Sequence, residues 1–332
     1  MRCGIDEDVS EVGGKVRGDK LSKVIKEDTT ISCLSEYLKA IENLQRLYPT
    51  KETLSNPTVP YFLYRGISDK NYELLPSVLR IQKDSWDPED LDNPQKMIKN
   101  ETYLTWGSEK AILQSFIQEA SGYISLPPDE LLKWAEYAQH YGAPTRFLDW
   151  SGNPLVALYF ACHSQKRCDG NVWLLHVPNY KRFTFRKLSG EAEERINIRD
   201  IVTGLINGEN KYSIFEYPIL YAPYYVDARM SAQSSWFMVW GTNNSPLEAM
   251  IGKRKHQMEY VAEIPKEITI GENEMRRFWH RFSICADSKQ RILRELDTAG
   301  INEKTLFPGL DGIGRYVEKK YHLDYAELAR FV

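Results

Sequence analysis

The chain has 332 residues, 42% hydrophobic and 27% charged, a composition that folds into one large domain or two modest ones rather than staying disordered along its length. With 43 Lys+Arg against 46 Asp+Glu, a net charge of -3 and a pI near 6.1, it has no global basic field to draw in nucleic acid. Its mean hydropathy is -0.48, its longest apolar runs are as short as residues 154–162, and its N-terminus lacks an apolar core, so neither a membrane span nor a secretory signal is expected and the chain reads as cytoplasmic.

Residues 1–30 are polar and glycine-bearing and read as a flexible N-terminal arm. Residues 31–332 then read as a single domain. Over residues 33–48, Leu34, Tyr37, Leu38, Ile41 and Leu44 share one helical face, with Ser32 placed to cap and Pro49 to end the helix. A short aromatic strand follows at residues 61–64, with Arg65 and Gly66 at its end. Residues 85–101 read as a surface loop. Residues 111–123 form an amphipathic helix, broken by Pro127 and Pro128, and residues 130–140 a second one.

A short strand is predicted at 146–148. Asn153 caps and Pro154 opens a helix that runs to about residue 164 and is apolar nearly all round, hence buried. Residues 172–177, 219–225, 236–240 and 258–264 read as strands, and 196–206 as a helix. Helices at 288–299, closed by Gly300, then at 309–321 and 325–331 complete the chain. This order is not a regular βαβ series. It predicts an α+β fold with a mixed sheet and helices before and after it.

Several familiar signatures are missing: there is no P-loop, HExxH, GxSxG or strand-borne GxGxxG. Gly312-Ile-Gly314 reads as a capping turn. The five cysteines (Cys3, Cys33, Cys162, Cys168, Cys285) form no CxxC pair and read as reduced thiols. Cys162, His163, Cys168 and His176 match no compact zinc spacing, so no metal is expected. The basic run at 253–256 reads as a solvated loop, and a nucleic-acid-modifying role rests only on it and on Glu318-Lys-Lys320.

Two segments place polar residues inside apolar surroundings. In the first, Arg65 ends an aromatic strand, where desolvation is costly without an anionic partner. That partner is either a ligand phosphate, for which a guanidinium is well shaped, or an internal carboxylate such as Asp149. Gly66 beside it lets a ligand approach the backbone. In the second, His140, Thr145, Arg146, Asp149, Trp150, Ser151 and Asn153 are crowded between two buried helices, which reads either as a polar pocket floor or as caps with one hydrogen-bond network.

These segments resemble the FRG-domain family, named for a Phe-Arg-Gly motif that is Tyr64-Arg65-Gly66 here. The likeness continues through Leu75-Pro-Ser-Val-Leu-Arg80, His140-Tyr-Gly-Ala-Pro-Thr-Arg-Phe-Leu-Asp-Trp-Ser151, Asn153-Pro-Leu-Val-Ala-Leu-Tyr-Phe-Ala161 and Arg229-Met-Ser-Ala-Gln233. The order of these blocks is in turn similar to that of ADP-ribosyltransferases. That resemblance implies a mainly antiparallel sheet core of the same type and NAD as co-substrate.

Carried over by position, it implies that Arg65 holds the pyrophosphate or ribose and that the Gly66 backbone bonds the carboxamide. Thr145 or Ser151 would fill the second motif, with Asp149 orienting Arg65 or Arg146. Tyr159 or Tyr64 would stack on nicotinamide, and Gln233 would fall near the third motif, usually a glutamate. Gln233 can hydrogen-bond a ribose hydroxyl but brings no charge to a ribosyl cation. Asp149, Glu248 or Glu259 would then supply the carboxylate, with His140 as acid or base. The implied activity is ADP-ribosyl transfer or NAD glycohydrolysis, as in a toxin or defence effector, with a protein or nucleic acid as acceptor. The alternative is a non-catalytic module that binds a nucleotide or a protein, and a dimer is compatible with the aromatic content.

Overall fold

A computed structural model describes residues 29–48, 60–80, 106–185, 197–209, 215–250 and 279–328. In chain order the elements are β1 (Thr29–Ile31), α1 (Leu34–Leu47), β2 (Phe62–Ile67), α2 (Trp106–Ala120), α3 (Leu131–His140), β3 (Phe147–Ser151), α4 (Pro154–Cys162), β4 (Gly170–His176) and α5 (Val177–Phe185). They continue with α6 (Ile198–Asn207), β5 (Ile219–Tyr221), α7 (Ala228–Ala232), β6 (Ser235–Val239), β7 (Trp279–Ile284), α8 (Ala286–Thr298), α9 (Glu303–Leu306) and α10 (Leu310–Leu328). The strands form one open sheet in the order β1-β7-β4-β2-β3-β6-β5. Every pairing is antiparallel except the edge pair β1–β7. The α+β class with a mainly antiparallel sheet is therefore as expected.

Strand alternation sorts the side chains onto two faces. On one face, α1, α4 and α8 cover Phe62, Tyr64, Val172, Leu174 and Phe282. Farther along that face, α2, α3 and α6 cover Phe147, Phe237 and Val239. The opposite face packs Leu63, Trp150, Trp173 and Leu175 against Tyr180 of α5 and against Leu247 and Met250. Helix α4 is the central strut. Asn153 caps it by accepting the Leu155 N–H at 2.9 Å, Pro154 opens it, and six of its nine residues are buried.

Several expectations are corrected. Thr29 and Thr30, read as the end of the arm, pair with β7. Cys33, not Ser32, sits at the α1 cap position, and the Ser32 hydroxyl donates instead to Glu36 at 2.7 Å. Arg65 and Gly66 lie within β2, not at its end, because β4 pairs with the strand as far as Ile67. Helix α2 stops at Ala120, well before the prolines. Strand β3 extends to Ser151 and β5 stops at Tyr221. The two C-terminal helices are one, α10, with Gly312 and Gly314 inside its first turns. The strand expected at 258–264, the loop at 85–101 and the basic run at 253–256 lie outside the described residues.

Candidate functional site

The site begins where two neighbouring strands separate. β2 pairs with β4 along its whole length, and β3 pairs with β6 along its whole length. Between β2 and β3, however, the ladder consists of Tyr64↔Ser151 alone. Continued antiparallel register would set Gly66 against Asp149. Instead the Arg65 guanidinium spans the gap, its Nη1 donating to the Asp149 carbonyl oxygen. Burial pulls this guanidinium down to about 10 against the attraction of Asp149, so it stays cationic at neutral pH.

A cavity of about 300 Å³ lies over the notch, walled by α3, α4 and α7 and closed on one side by Phe307. Asp149 is the one exposed residue of an otherwise buried central strand. Its Oδ2 accepts from Gln139 Nε2 at 2.8 Å. Gln139 Oε1 in turn accepts the Thr145 hydroxyl, which fixes the amide with its donor end toward the carboxylate.

His140 lines the same wall. Its Nε2 lies 3.4 Å from Asp227 Oδ1, within ion-pair range but outside hydrogen-bond geometry. Burial first, then Arg229, lowers its pKa, opposed by Asp227 and Asp149, so the imidazole is neutral at pH 7. Ser151 also lines the cavity, but its hydroxyl is committed, donating to the Gln233 carbonyl at 2.6 Å and accepting the Asn153 N–H at 3.0 Å.

The structure thus brings together Arg65, Gly66, His140, Asp149, Ser151 and Gln233, and the rest of the expected site is reassigned. Tyr64 touches the cavity, but its ring is buried in the core, only its hydroxyl meets Gln45, and burial raises its pKa to about 12. Thr145 is buried behind Gln139 and also accepts the Phe147 N–H at 3.1 Å, so it orients rather than binds. Arg146 is buried and paired with Glu109, its Nε 2.9 Å from each carboxylate oxygen. Tyr159 points away from the cavity and donates to Glu303 at 2.8 Å.

Gly66 serves packing rather than ligand approach: a Cβ there would stand 1.8 Å from the Ala157 carbonyl oxygen of α4. Gln233 is not on a strand but caps the C-terminus of α7, and its Nε2 donates to the Leu306 carbonyl at 3.0 Å. Glu248 accepts the Leu74 N–H at 3.1 Å and lines no part of the cavity, while Glu259 lies outside the described residues.

Among the lining residues that carried no expectation are Gln139, Phe160, Arg229 and Phe307. Gln139 and Phe160 were within reach of the sequence. Gln139 adjoins His140, and Phe160 lies one helical turn after Val156, on the stripe of α4 that faces the cavity. Arg229 opens the block that ends in Gln233. Its guanidinium lies 5.9 Å from the Tyr141 ring centre and its Nε 3.6 Å from Asp227, an arrangement only the fold creates.

Among the described residues no helix is long and apolar enough to cross a membrane, and no three potential ligands gather around a metal position. No curated protein and no solved structure matches the chain. The FRG domain family model matches residues 60–170. That span supplies the notch itself, with Arg65, Gln139, His140, Asp149, Ser151 and Phe160, while Arg229, Gln233 and Phe307 close it from beyond. The chain therefore carries an FRG domain, and its cavity lies between the two strands of that domain that part.

Proposed function

We propose that the cavity binds a nucleotide and consumes NAD, by ADP-ribosyl transfer or glycohydrolysis. The observation that carries this reading is Asp149: an exposed carboxylate in the middle of a buried central strand, held by an amide donor and set beside the Arg65 cation. A carboxylate in a walled cavity stabilises positive charge that develops during a reaction. Cleavage of the C1′–N bond of NAD develops such charge on the ribose, and the electron pair leaves with neutral nicotinamide. Asp149 faces the ribosyl cation, Arg65 and Arg229 meet the phosphates, and Phe160 and Phe307 wall the apolar end. Water or an acceptor group then attacks the cation, and the neutral His140 takes its proton.

A second reading, a nucleotide-binding module without turnover, is favoured by Gln233, which is uncharged and whose amide N–H is spent on Leu306. The test is nicotinamide release from NAD by the purified chain, with and without added cell lysate as a source of acceptors. Release is expected, with a loss of about 10²–10³-fold in Asp149→Asn, the range for removal of one preorganised electrostatic contact. No release from a folded protein under either condition selects the binding module.

A further inference from the structure

Arg65 and Trp150 line the notch, and beside it stands a row of buried hydrogen-bond donors with nothing among the described residues to receive them. Arg65 sits between Tyr64 and Gly66 on β2, so alternation directs its side chain to the face of Leu63 and Ile67. That face also carries Trp150 of β3 and Trp173 of β4. Trp173 is the register partner of Arg65 across β2 and β4. Trp150 immediately precedes Ser151, the partner of Tyr64. Arg65 is therefore flanked by an indole on each side.

Arg65 Nε, Trp150 Nε1 and Trp173 Nε1 are all buried, and none has a hydrogen-bond partner among the described residues. A buried donor left unmet costs about 1–3 kcal/mol, and most buried donors in folded proteins are paired. Three such donors on adjacent strands, on one face, are not a packing accident at a single side chain. Two of the residues, Arg65 and Trp150, line the cavity.

The nearby acceptors are already engaged. Asp149 offers Arg65 only its backbone carbonyl, and its carboxylate is held by Gln139. The Glu248 carboxylate takes the Leu74 N–H at 3.1 and 3.3 Å and makes no ion pair with Arg65. The notch thus holds unmet donors on residues that line the cavity, one of them on a cation. The complementary group is compact, anionic and made of acceptors without hydrogens of its own, which describes a phosphoryl group.

We propose that Arg65 and Trp150 form a phosphoryl socket at the notch, in which the guanidinium Nε–H and the indole Nε1–H each donate to a phosphate oxygen. The socket deepens the nucleotide reading of the site, on which it rests, by naming a neutral tryptophan as a phosphate ligand beside the arginine. Trp173, on the other flank of Arg65, adds a third donor to the same row.

The experiment is calorimetric titration of the full chain with ADP and with adenosine, which differ by the phosphates. Trp150→Phe keeps an aromatic ring and removes the N–H. Arg65→Lys keeps the charge and removes the Nε–H, and it serves as a second variant should Trp150→Phe fail to fold by thermal melting. The parent is expected to bind ADP at least about tenfold more tightly than adenosine. Each variant is expected to weaken ADP by about 10–100-fold, the range for a hydrogen bond to a charged group, and to leave adenosine unchanged. Folded variants that bind ADP as the parent does overturn the socket, as does a parent that does not prefer ADP. Nicotinamide release is read on the same samples. ADP preference lost in the variants, without release from the parent, keeps the socket and overturns the catalytic reading. Release with ADP affinity unmoved by either substitution overturns the socket alone.

Discussion

Arg65 lies within β2 and Arg146 immediately precedes β3, and the fold gives them opposite tasks. Arg146 is buried in a fork with Glu109, with its Nη1 also donating to the Trp240 carbonyl at 3.2 Å. Arg65 holds only a backbone carbonyl and keeps a donor unmet. Arg146→Ala should therefore cost about 3–5 kcal/mol in urea denaturation, because the Glu109 charge stays buried and unpaired. Arg65→Ala should cost far less stability and about 1.5–3 kcal/mol of nucleotide affinity. The reverse pattern would make Arg65 the internal bridge.

The two arginines could not be told apart in the sequence, since Glu109 lies 37 positions before Arg146 on a separate helix. Gln233 shows the same limit. As a substitute for a catalytic glutamate it invites Gln233→Glu, but its Nε2 donates to the Leu306 carbonyl. A carboxylate there would face that carbonyl. Gln233→Glu should lower stability by about 1–3 kcal/mol without raising nicotinamide release, and faster release would restore it to the charged role.

Among the elements, those with local signals were legible and those made by contact were not. Helix α4 announced itself through Asn153, Pro154 and an apolar surface all round, and α1, α3 and α8 through their apolar stripes and breakers, Gly300 at φ +82 among them. β1, α7 and α9 are three to five residues long and carry too few residues for a period. β1 exists because β7 pairs with it. The path of α4 is set by a residue that looked like part of the ligand site. A Cβ at position 66 would meet the Ala157 carbonyl at 1.8 Å and the Ala161 nitrogen at 2.6 Å, both backbone atoms that cannot swing aside. Gly66→Ala should force α4 off the sheet and yield a protein that melts far below the parent or does not fold. A variant with the parent's melting point that has lost only nucleotide affinity would return Gly66 to the ligand.

At the scale of the molecule, the α+β class and the antiparallel bias were legible because strand-like and helix-like periods separate cleanly along the chain. Strand order was not, since β7 reaches β4 and β1 across most of the sequence. That long-range assembly also buries a histidine, and acid should expose it. His280 of β7 is packed against Tyr48, which follows α1, with its Nε2 2.6 Å from the Tyr48 hydroxyl. No acidic group lies within ion-pair range of it among the described residues, and burial lowers its pKa from 6.5 to about 4. Above pH 6.5 the ring is neutral in both the folded and the unfolded chain and stability does not change through it. Between about pH 6.5 and 4 the unfolded chain takes up the proton first, so stability falls as pH falls, by about 3 kcal/mol in total. Below about pH 4 both states are protonated and the loss stops. His140 and His163, also lowered by burial, add in the same direction. Glu136 and Glu248, raised by burial, oppose it from about pH 4.5 upward. Comparing the parent with His280→Gln cancels these shared contributions. In urea denaturation the parent should lose about 3 kcal/mol more than the variant between pH 7 and pH 4. Equal losses would mean that the edge of the sheet opens in acid without protonation of His280.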